Sequence, residues 1–246
     1  LADQKRQIGF DELPPLSNSD FESIKTIKSG KRKGSVTYNN NINKHIKAWE
    51  KYKDILSSIR VLDMACGSGA FLNEAFDYLR AEGERVNKEI SSLKRSQEDL
   101  FGWDSHILSN NLFGVDINSE SIEITKLSLW LKTADPNKKL TYLKDNIVAG
   151  NSLVDDQSIA GDMALTWSKC FPEVVTEGGF DVVIGNPPYI DSEEMTLSQP
   201  RNRDFIAGNY DTAVGNWDIY IAFFEKGLSV LKNSAGYLSF ISPDKW

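Results

Sequence analysis

Four short apolar runs in this chain each end in a motif built from glycine, asparagine or aspartate. The runs fall at residues 60–64, 112–117, within 146–150, and at 180–184, and helix-favouring or irregular stretches separate them. Strands that alternate with helices form mostly parallel sheets, and the carboxyl ends of parallel strands meet at one edge. We therefore predict an α/β fold with a doubly wound, mostly parallel, Rossmann-like sheet that gathers the four motifs along one rim.

The remaining sequence supplies helices, an N-terminal extension and connections. Apolar residues recur at intervals of three and four over 42–59, which is typical of an amphipathic helix. Ser119 and Ser121 are candidate caps for the helix after the second strand. We also predict an N-terminal linker or extension at 1–40, one domain at 41–246, helices at 70–83 and 217–231, a helical insertion at 84–111, a mobile loop at 190–215 and a last strand at 236–241.

Composition limits the kinds of site and partner. The chain has two cysteines and two histidines, which are too few for a zinc centre, so we expect no metal. It has no long apolar run and no signal segment, so we expect a cytoplasmic protein without membrane contact. The net charge of −7 argues against this chain gripping a polyanion alone. Because the chain begins at Leu1 and stops just after a predicted strand, we expect it to be a segment of a larger polypeptide.

The first motif combines two glycines with a preceding aspartate. Gly67 and Gly69 allow a tight strand-to-helix turn and let a ligand approach the backbone N–H groups closely. Asp63 stands at the end of the strand, where it can face a cationic group in the crevice. Taken alone, the motif fits an ordinary turn as well as a nucleotide-type site.

The second and third motifs each add one polar side chain to the rim. Asp116 ends its strand where an acidic residue can accept hydrogen bonds from ribose hydroxyls, although an aspartate there is also a common helix cap. Asn151 follows the third strand, and its amide can accept a hydrogen bond from an exocyclic amino group. A glycine followed by Asn151 is equally typical of a plain turn.

The fourth motif, Asn186-Pro-Pro-Tyr189, is the most specific. Two successive prolines fix the backbone, so that the Asn186 side-chain carbonyl and the Pro187 backbone carbonyl form a rigid pair of acceptors. Such a pair can hold both N–H groups of an exocyclic amine and aim its lone pair at an electrophile. Tyr189 offers a face for a planar substrate. A simple proline turn does not explain why four such motifs follow successive strands.

The longer strings resemble one enzyme class. Asp63-x-Ala-Cys-Gly-Ser-Gly-x-Phe71 together with Asn186-Pro-Pro-Tyr189 is similar to the γ-class DNA adenine-N6 methyltransferases. The resemblance covers roughly residues 58–246. More narrowly, four strings resemble the methylase part of type IIG restriction-modification enzymes: Asn111-Leu-Phe-Gly-Val-Asp-Ile117, Lys126-Leu-Ser-Leu-Trp-Leu131, Gly150-Asn-Ser-Leu153 and Phe180-Asp-Val-Val-Ile-Gly-Asn-Pro-Pro-Tyr-Ile190.

The resemblance implies transfer of a methyl group from S-adenosylmethionine to N6 of a flipped adenine in DNA, with S-adenosylhomocysteine as product. It implies no metal and no general base. The implied cofactor contacts are Asp63, Ala65, Cys66, Gly67, Gly69, Phe71, Asp116, Ile117, Asn151 and Leu153. The implied contacts of the target base are Asn186, Pro187, Pro188 and Tyr189.

The resemblance also implies partners outside this sequence. Double-stranded DNA would be bound through the full-length protein, with a target-recognition domain and, where one is linked, a nuclease domain on the same polypeptide. We expect the last strands of the sheet to lie beyond residue 246. The predicted loop at 190–215 would act as a lid that controls release of S-adenosylhomocysteine.

Two departures from the family pattern stand out. Met64 occupies a position where the family usually has proline, and this residue shapes backbone more than chemistry. The motif that precedes the first strand is not clearly recognisable, and Gly34-Ser-Val-Thr-Tyr38 is a degenerate candidate for it.

Three other functions stay open at this point. The Asn-Pro-Pro-Tyr motif also suits methylation of glutamine in protein release factors or of guanine N2 in ribosomal RNA. The third is a module that binds the cofactor without catalysis, as an allosteric signal to a linked nuclease or translocase, although the intact motif from Asn186 to Tyr189 argues against permanent inactivity.

Overall fold

The computed structural model describes residues 1–29, 36–95, 101–133, 145–233 and 236–244. The chain divides into two units, one made of residues 1–58 and 79–103, the other of residues 59–78 and 104–246. The candidate motif at 34–38 lies partly outside the described residues. No helix among the described residues is both long enough and apolar enough to cross a membrane.

The first unit is mainly helical. Its long helix α3 (Asn40–Ser58) buries all five of the apolar residues that the three-and-four spacing predicts within it: Ile42, Ile46, Trp49, Tyr52 and Leu56. The amphipathic helix is thus confirmed, with its end one residue earlier than predicted. Five shorter elements precede α3 among the described residues of this unit: α1 (Ala2–Ile8), a 3-10 turn (Phe10–Glu12), α2 (Asn18–Glu22), β1 (Lys25–Thr26) and β2 (Val36–Thr37).

The second unit contains the sheet. In chain order the remaining elements are β3 (Val61–Asp63), α4 (Ala70–Lys94), α5 (Trp103–His106), a π-helical turn (Ile107–Asn111), β4 (Leu112–Asp116), α6 (Ser119–Lys132), β5 (Ile147–Ala149), α7 (Gln157–Ala160), a 3-10 turn (Gly161–Met163), α8 (Trp167–Cys170), α9 (Pro172–Thr176), β6 (Val182–Gly185), α10 (Ser192–Ser198), α11 (Pro200–Asn209), α12 (Ile219–Val230) and β7 (Tyr237–Phe240). The last part of α4 and the start of α5 belong to the first unit.

The sheet has five strands in the order β5-β4-β3-β6-β7. All four pairings are parallel, with Asp63 level with Gly114 on one side and with Ile184 on the other. The chain moves outward from β3 to β5 and then returns to place β6 on the other side of β3. Ligands of doubly wound sheets bind where the strand order reverses in this way. The predicted fold class is confirmed, and the reversal lies at the carboxyl end of β3.

A cluster of aromatic side chains packs in the core beside the strands. The ring of Phe113 on β4 meets the rings of Phe171 and Phe180 edge-on, at centroid distances of 5.5 and 5.3 Å. Phe171 and Phe180 are themselves 5.8 Å apart. These residues are almost fully buried, as is Leu62 on the central strand. Rings packed edge to face stabilise the fold by more than the burial of their surface alone. This cluster therefore stabilises the strands whose carboxyl ends form the rim.

The predicted end of a helix at Gly83 is wrong. Helix α4 continues without interruption to Lys94, so the first part of the predicted insertion at 84–111 is a continuation of it. A Cβ atom at Gly83 would lie 2.3 Å from the Trp103 indole. The glycine is therefore there to let an aromatic ring approach the helix, and not to end it.

The predicted mobile loop at 190–215 is also wrong, because α10 and α11 occupy most of it. The side chain of Asp191 caps α10 by accepting from the N–H of Glu194 at 2.7 Å. Pro200 opens α11, which suits a residue without an N–H group. Met195 and Ile206 are almost fully buried and anchor the two helices. The polar composition of residues 190–215 did not indicate that these two residues are buried.

The predicted caps of α6 are corrected as well. The capping side chain is Asn118, whose carbonyl oxygen accepts from the N–H groups of Glu120 and Ser121 at 2.9 and 3.0 Å. Ser119 is the first residue of the helix. Asparagine is among the strongest N-cap residues, so Asn118 outcompetes the two serines that follow it.

Candidate active site

A cavity of about 350 Å³ lies at the carboxyl ends of the central strands. Its size is in the range of small-molecule sites, roughly 300–1,000 Å³. Residues of the second, third and fourth motifs line it, together with the residues just after β3. The lining consists of Met64, Ala65, Asp116, Ile117, Gly150, Asn151, Ser152, Leu153, Asn186, Pro188, Ile190, Gln199, Asn202, Ile206, Ile219 and Phe223.

The glycine turn of the first motif is built on two left-handed residues. Gly67 and Gly69 have backbone φ angles of +52° and +83°, which residues other than glycine rarely adopt. A Cβ atom at Gly69 would lie 2.7 Å from Cγ2 of Thr125, whereas one at Gly67 would meet nothing within 4 Å. Gly69 is thus required by packing, and Gly67 leaves open space beside the backbone.

Helices α4 and α6 fix this turn through side chains that the motif pattern did not single out. The buried Thr125 hydroxyl donates to the carbonyl of Gly67 at 2.8 Å. The amide nitrogen of Asn73 donates to the carbonyl of Gly69 at 2.8 Å and to the hydroxyl of Ser128 at 2.8 Å. The local sequence gives no signal for Thr125, because charged residues stand close on both sides of it, Glu123 and Lys126.

Asp63 is buried beside the turn with one carboxylate oxygen uncommitted. Its Oδ1 accepts from the N–H of Ala65 at 3.1 Å, while its Oδ2 has no hydrogen-bond partner among the described residues. Burial raises the pKa of Asp63 to about 7; the Ala65 N–H opposes this rise and the charge of Asp116 adds to it. A buried carboxylate is costly without a partner, so this oxygen favours a cationic donor.

Asp116 connects the second motif to the first. Its two oxygens accept from the N–H of Gly67 and from the N–H of Asn118, each at 2.8 Å. A carboxylate has about four acceptor positions, so these two bonds leave capacity for ligand hydroxyls. The next side chain, Ile117, is 55% exposed and lines the cavity with an apolar surface.

In the third motif, the side chain of Asn151 stabilises its own turn. The side-chain oxygen of Asn151 accepts from the N–H groups of Leu153 and Val154 at 3.0 and 3.2 Å. This oxygen thus stabilises the turn, and because Asn151 also lines the cavity, its contact with a ligand amino group stays a prediction. The buried Ser152 hydroxyl donates to the carbonyl of Met64 at 2.6 Å, and the Tyr210 hydroxyl donates to that of Leu153 at 2.7 Å.

Of the six predicted cofactor contacts in the first motif, Ala65 lines the cavity, and the other five do not: Asp63, Cys66, Gly67, Gly69 and Phe71. Cys66 is buried, and its sulfur would be 3.2 Å from a Cβ atom at Gly114, so its side chain packs on β4. Burial, with Asp63 and Asp116 nearby, raises the pKa of its thiol. Phe71 is half-buried in the first turn of α4. Cys66 can therefore meet a ligand only through its backbone.

The fourth motif lies open at the rim. Asn186 and Pro188 are exposed and line the cavity, Pro187 is buried, and Tyr189 is 44% exposed. The Tyr189 hydroxyl is within donating distance of the Asn186 side-chain oxygen and of the Ile241 carbonyl, the latter at 2.9 Å. A hydroxyl has one proton, so it serves one of these acceptors at a time.

Asp218 fixes the backbone that follows this motif. Its Oδ1 accepts from the N–H of Ile190 at 3.1 Å and caps α12 through the N–H of Tyr220 at 3.3 Å. The Tyr220 ring meets the Tyr189 ring edge-on with centroids 6.0 Å apart. Sequence reasoning missed Asp218, although an aspartate before an apolar helix is a recognisable cap signal.

The chain is similar to known restriction-modification proteins. The family model described as Eco57I restriction-modification methylase matches residues 110–246. The chain is 30% identical over 210 residues to the type II restriction enzyme and methyltransferase RM.Eco57I of Escherichia coli, covering 78% of this chain and 20% of that protein. It is 29% identical over 112 residues to the adenine-specific methyltransferase BrxX of Escherichia coli O9:H4 (strain HS), covering 46% of this chain and 8% of that protein.

A solved structure has the same fold. It is the type IIL restriction-modification enzyme MmeI in complex with DNA, with a TM-score of 0.52, 19% sequence identity and coverage of 82% of this chain and 26% of that one. The chain thus spans about a quarter or less of the length of each of these three proteins. Because the family model matches more than half of the sequence, this chain belongs to the Eco57I restriction-modification methylase family.

Proposed function

We propose that this chain transfers the methyl group of S-adenosylmethionine to N6 of an adenine in DNA. One observation carries the proposal: residues from three strand-end motifs line one cavity at the strand-order reversal, and the exposed Asn186 stands at its rim. A family of restriction-modification methylases and a relative named as adenine-specific support it.

The residues on the cofactor side suit S-adenosylmethionine. The unpaired Oδ2 of Asp63 would accept from the ammonium group of the methionyl part. Open space beside Gly67 admits that part against the backbone, and the spare acceptor positions of Asp116 would hold ribose hydroxyls. The exposed Ile117 would cover one face of the adenine ring. When bound, the cofactor supplies a sulfonium whose methyl group is electrophilic.

The residues on the substrate side suit a planar exocyclic amine. Delocalisation into the ring makes such a nitrogen a poor nucleophile. Two acceptors, the Asn186 side-chain oxygen and the Pro187 carbonyl, would hold its two N–H groups, localise the lone pair and aim it at the methyl carbon. Tyr189 would stack on the base after it leaves the duplex. The Tyr189 hydroxyl would then donate to Ile241 and release Asn186 for the substrate.

The grip on DNA would come mostly from elsewhere in the native protein. With 28 basic and 35 acidic residues, this chain has a net charge of −7, which repels phosphates. Binding of double-stranded DNA through a target-recognition domain, with or without a linked nuclease, is therefore part of the proposal.

A substrate comparison tests the function. The native protein is incubated with tritiated S-adenosylmethionine and, separately, with unmethylated plasmid DNA, a release factor or ribosomal RNA. We expect label in DNA alone, released as N6-methyladenine after hydrolysis. Label in glutamine or in guanine N2 would replace DNA adenine as the substrate. Binding of the cofactor without transfer to any of the three would indicate a sensing module instead.

A further inference from the structure

The fourth motif is anchored to the fold on both sides of its two prolines. Pro187 and Pro188 have no N–H group, so they fix the shape of the segment but cannot tie it to a neighbour as donors. Before the motif, the Gly185 carbonyl on β6 accepts from the N–H of Ile241 at 3.0 Å. After the motif, Ile190 supplies the second anchor. A rigid segment held in this way can pivot about one anchor when the other is removed.

Both backbone groups of Ile190 bond to the residues just before α12. Its N–H donates to Oδ1 of Asp218 at 3.1 Å, and its carbonyl accepts from the N–H of Ile219 at 2.9 Å. Two residues further on, the N–H of Ser192 donates to the carbonyl of Trp217 at 2.8 Å. Two of these three bonds join backbone groups, whereas the third depends on a side chain. The Asp218 carboxylate is therefore the part of this anchor that a substitution removes.

The Asp218 carboxylate stands on a buried framework. Trp217 beside it is 3% exposed, and Tyr220, whose N–H donates to the same Oδ1 at 3.3 Å, is 2% exposed. The Tyr220 ring also meets the ring of Tyr189 edge-on. The acceptor for the Ile190 N–H is thus fixed by groups that contact the motif a second time, through its own aromatic ring.

The anchored segment carries the groups that need the most accurate placement. In the proposed reaction, the Asn186 oxygen and the Pro187 carbonyl hold the target amine, and a displacement of about 1 Å at a reacting group can lower a rate by ~10²-fold. The glycine turn on the cofactor side is fixed by other bonds, from Thr125 and Asn73. Release of the Ile190 anchor should therefore affect methyl transfer and leave cofactor binding intact.

We infer that Asp218 is a positioning residue for methyl transfer: by accepting from the Ile190 N–H, it holds the segment from Asn186 to Tyr189 in the orientation that directs the target amine at the methyl group. This inference rests on the proposed function. A role limited to capping α12 would stabilise the fold without affecting the transfer step. The two roles use the same oxygen, but they respond differently to substitution.

Three variants separate the two roles. Asp218→Gly removes the acceptor for Ile190, although glycine is well tolerated at a helix N-cap. Asp218→Asn removes the charge and keeps an oxygen that can accept from both N–H groups. The matched control is Asp156→Gly, because exposed Asp156 caps α7 by accepting from the N–H two residues on, that of Ser158, at 2.7 Å, and is not among the residues that line the cavity.

The measurements are single-turnover transfer from tritiated S-adenosylmethionine to saturating plasmid DNA, calorimetry with S-adenosylhomocysteine, and circular dichroism melting. We expect Asp218→Gly to transfer the methyl group about 10- to 10²-fold more slowly than the native protein and to keep its cofactor affinity within about twofold. Asp218→Asn should stay within about threefold of the native rate, and Asp156→Gly should match it.

The opposite results would overturn the inference alone. They are a native rate in Asp218→Gly, an equal loss in Asp156→Gly, or an asparagine variant as slow as the glycine variant. A glycine variant that does not fold would assign Asp218 to stability and overturn the inference as well. A native protein that transfers no methyl group to DNA would overturn the proposed function and this inference with it.

Discussion

The two halves of the candidate site are built in opposite ways. On the cofactor side, the glycine turn is fixed by Thr125, Asn73 and Asp116 through bonds of 2.8 Å, and the Asp63 carboxylate is buried beside it. On the substrate side, Asn186 and Tyr189 are exposed, and the Tyr189 hydroxyl can donate to Asn186 or to the carbonyl of Ile241. The first half is ready to receive a ligand, whereas the second half must exchange an internal hydrogen bond for a substrate.

This difference suggests a division of energetic roles. A preorganised pocket lowers the cost of binding because its groups need no rearrangement. An acceptor that already has a hydrogen-bond partner gains little free energy when it binds the amine before the reaction. Its contribution comes in the transition state, where the charge and geometry of the amine change. Mutations in the two halves should therefore have separable effects on cofactor affinity and on turnover.

The largest expected effect comes from the substrate half. Replacing Asn186 with alanine removes a side-chain acceptor for the target amine, and turnover should fall by about 10²- to 10³-fold, as for other groups that stabilise a transition state. Single-turnover methyl transfer to plasmid DNA measures it. Cofactor affinity by calorimetry should stay within about twofold of the native value. An equal loss in both quantities would remove the separation between the halves.

An intermediate effect is expected from pH on the cofactor half. The ionised form of Asp63 binds an ammonium group, so affinity for S-adenosylhomocysteine should rise by about tenfold between pH 6 and 8, through the raised pKa of about 7. Calorimetry across this range measures the change. The Asp63→Asn variant should bind more weakly at pH 8 and show no such rise.

The same pKa gives an opposite trend for the unliganded protein. Its carboxyl binds a proton in the fold more tightly than in the unfolded chain, where the ordinary value is near 3.8. The stability that this proton contributes is therefore present at low pH and is lost as pH rises from about 4 through 7. Chemical denaturation with and without ligand should show the two trends diverge, and parallel curves would contradict the assignment of Asp63 to the cofactor.

The smallest effect is expected at the Tyr189 hydroxyl. The Tyr189→Phe variant keeps the ring for stacking and loses the bond that occupies Asn186, so turnover should change by no more than about threefold. The Tyr189→Ala variant, which removes the ring, should raise the KM for DNA by about tenfold or more, as for lost base stacking. Steady-state kinetics on plasmid DNA distinguish the two. A phenylalanine variant as impaired as the alanine variant would show that the hydroxyl, and not the ring, matters.

The sequence predicts the rim better than the walls around it. Each strand-end motif follows a short apolar run, and the runs alternate with helices, which is typical of a parallel sheet. The motif residues Asp63, Asp116 and Asn186 are therefore assigned to the one edge where the strands end. The direction of a carboxylate or an amide within that edge depends on tertiary contacts. The sequence therefore did not indicate that the Asn151 oxygen caps its own turn.

The remaining wall could not be predicted because its signals are weak. Helices α10 and α11 are short and mostly polar, with only single buried anchors such as Met195 and Ile206. Gln199 and Asn202 enter the cavity only because α11 packs there, which local pattern does not encode. Thr125 was similarly hidden, because its neighbours Ile124 and Lys126 do not distinguish a buried position from an exposed one.

Gly185 gives the two halves a shared constraint. It ends β6 directly before Asn186, and a Cβ atom there would lie 2.7 Å from the Asp63 carboxylate. Any larger residue at 185 would need a shorter or displaced side chain at 63. Efforts to alter cofactor preference by directed evolution should therefore vary position 185 only together with position 63, because a side chain added at 185 alone would collide with the Asp63 carboxylate.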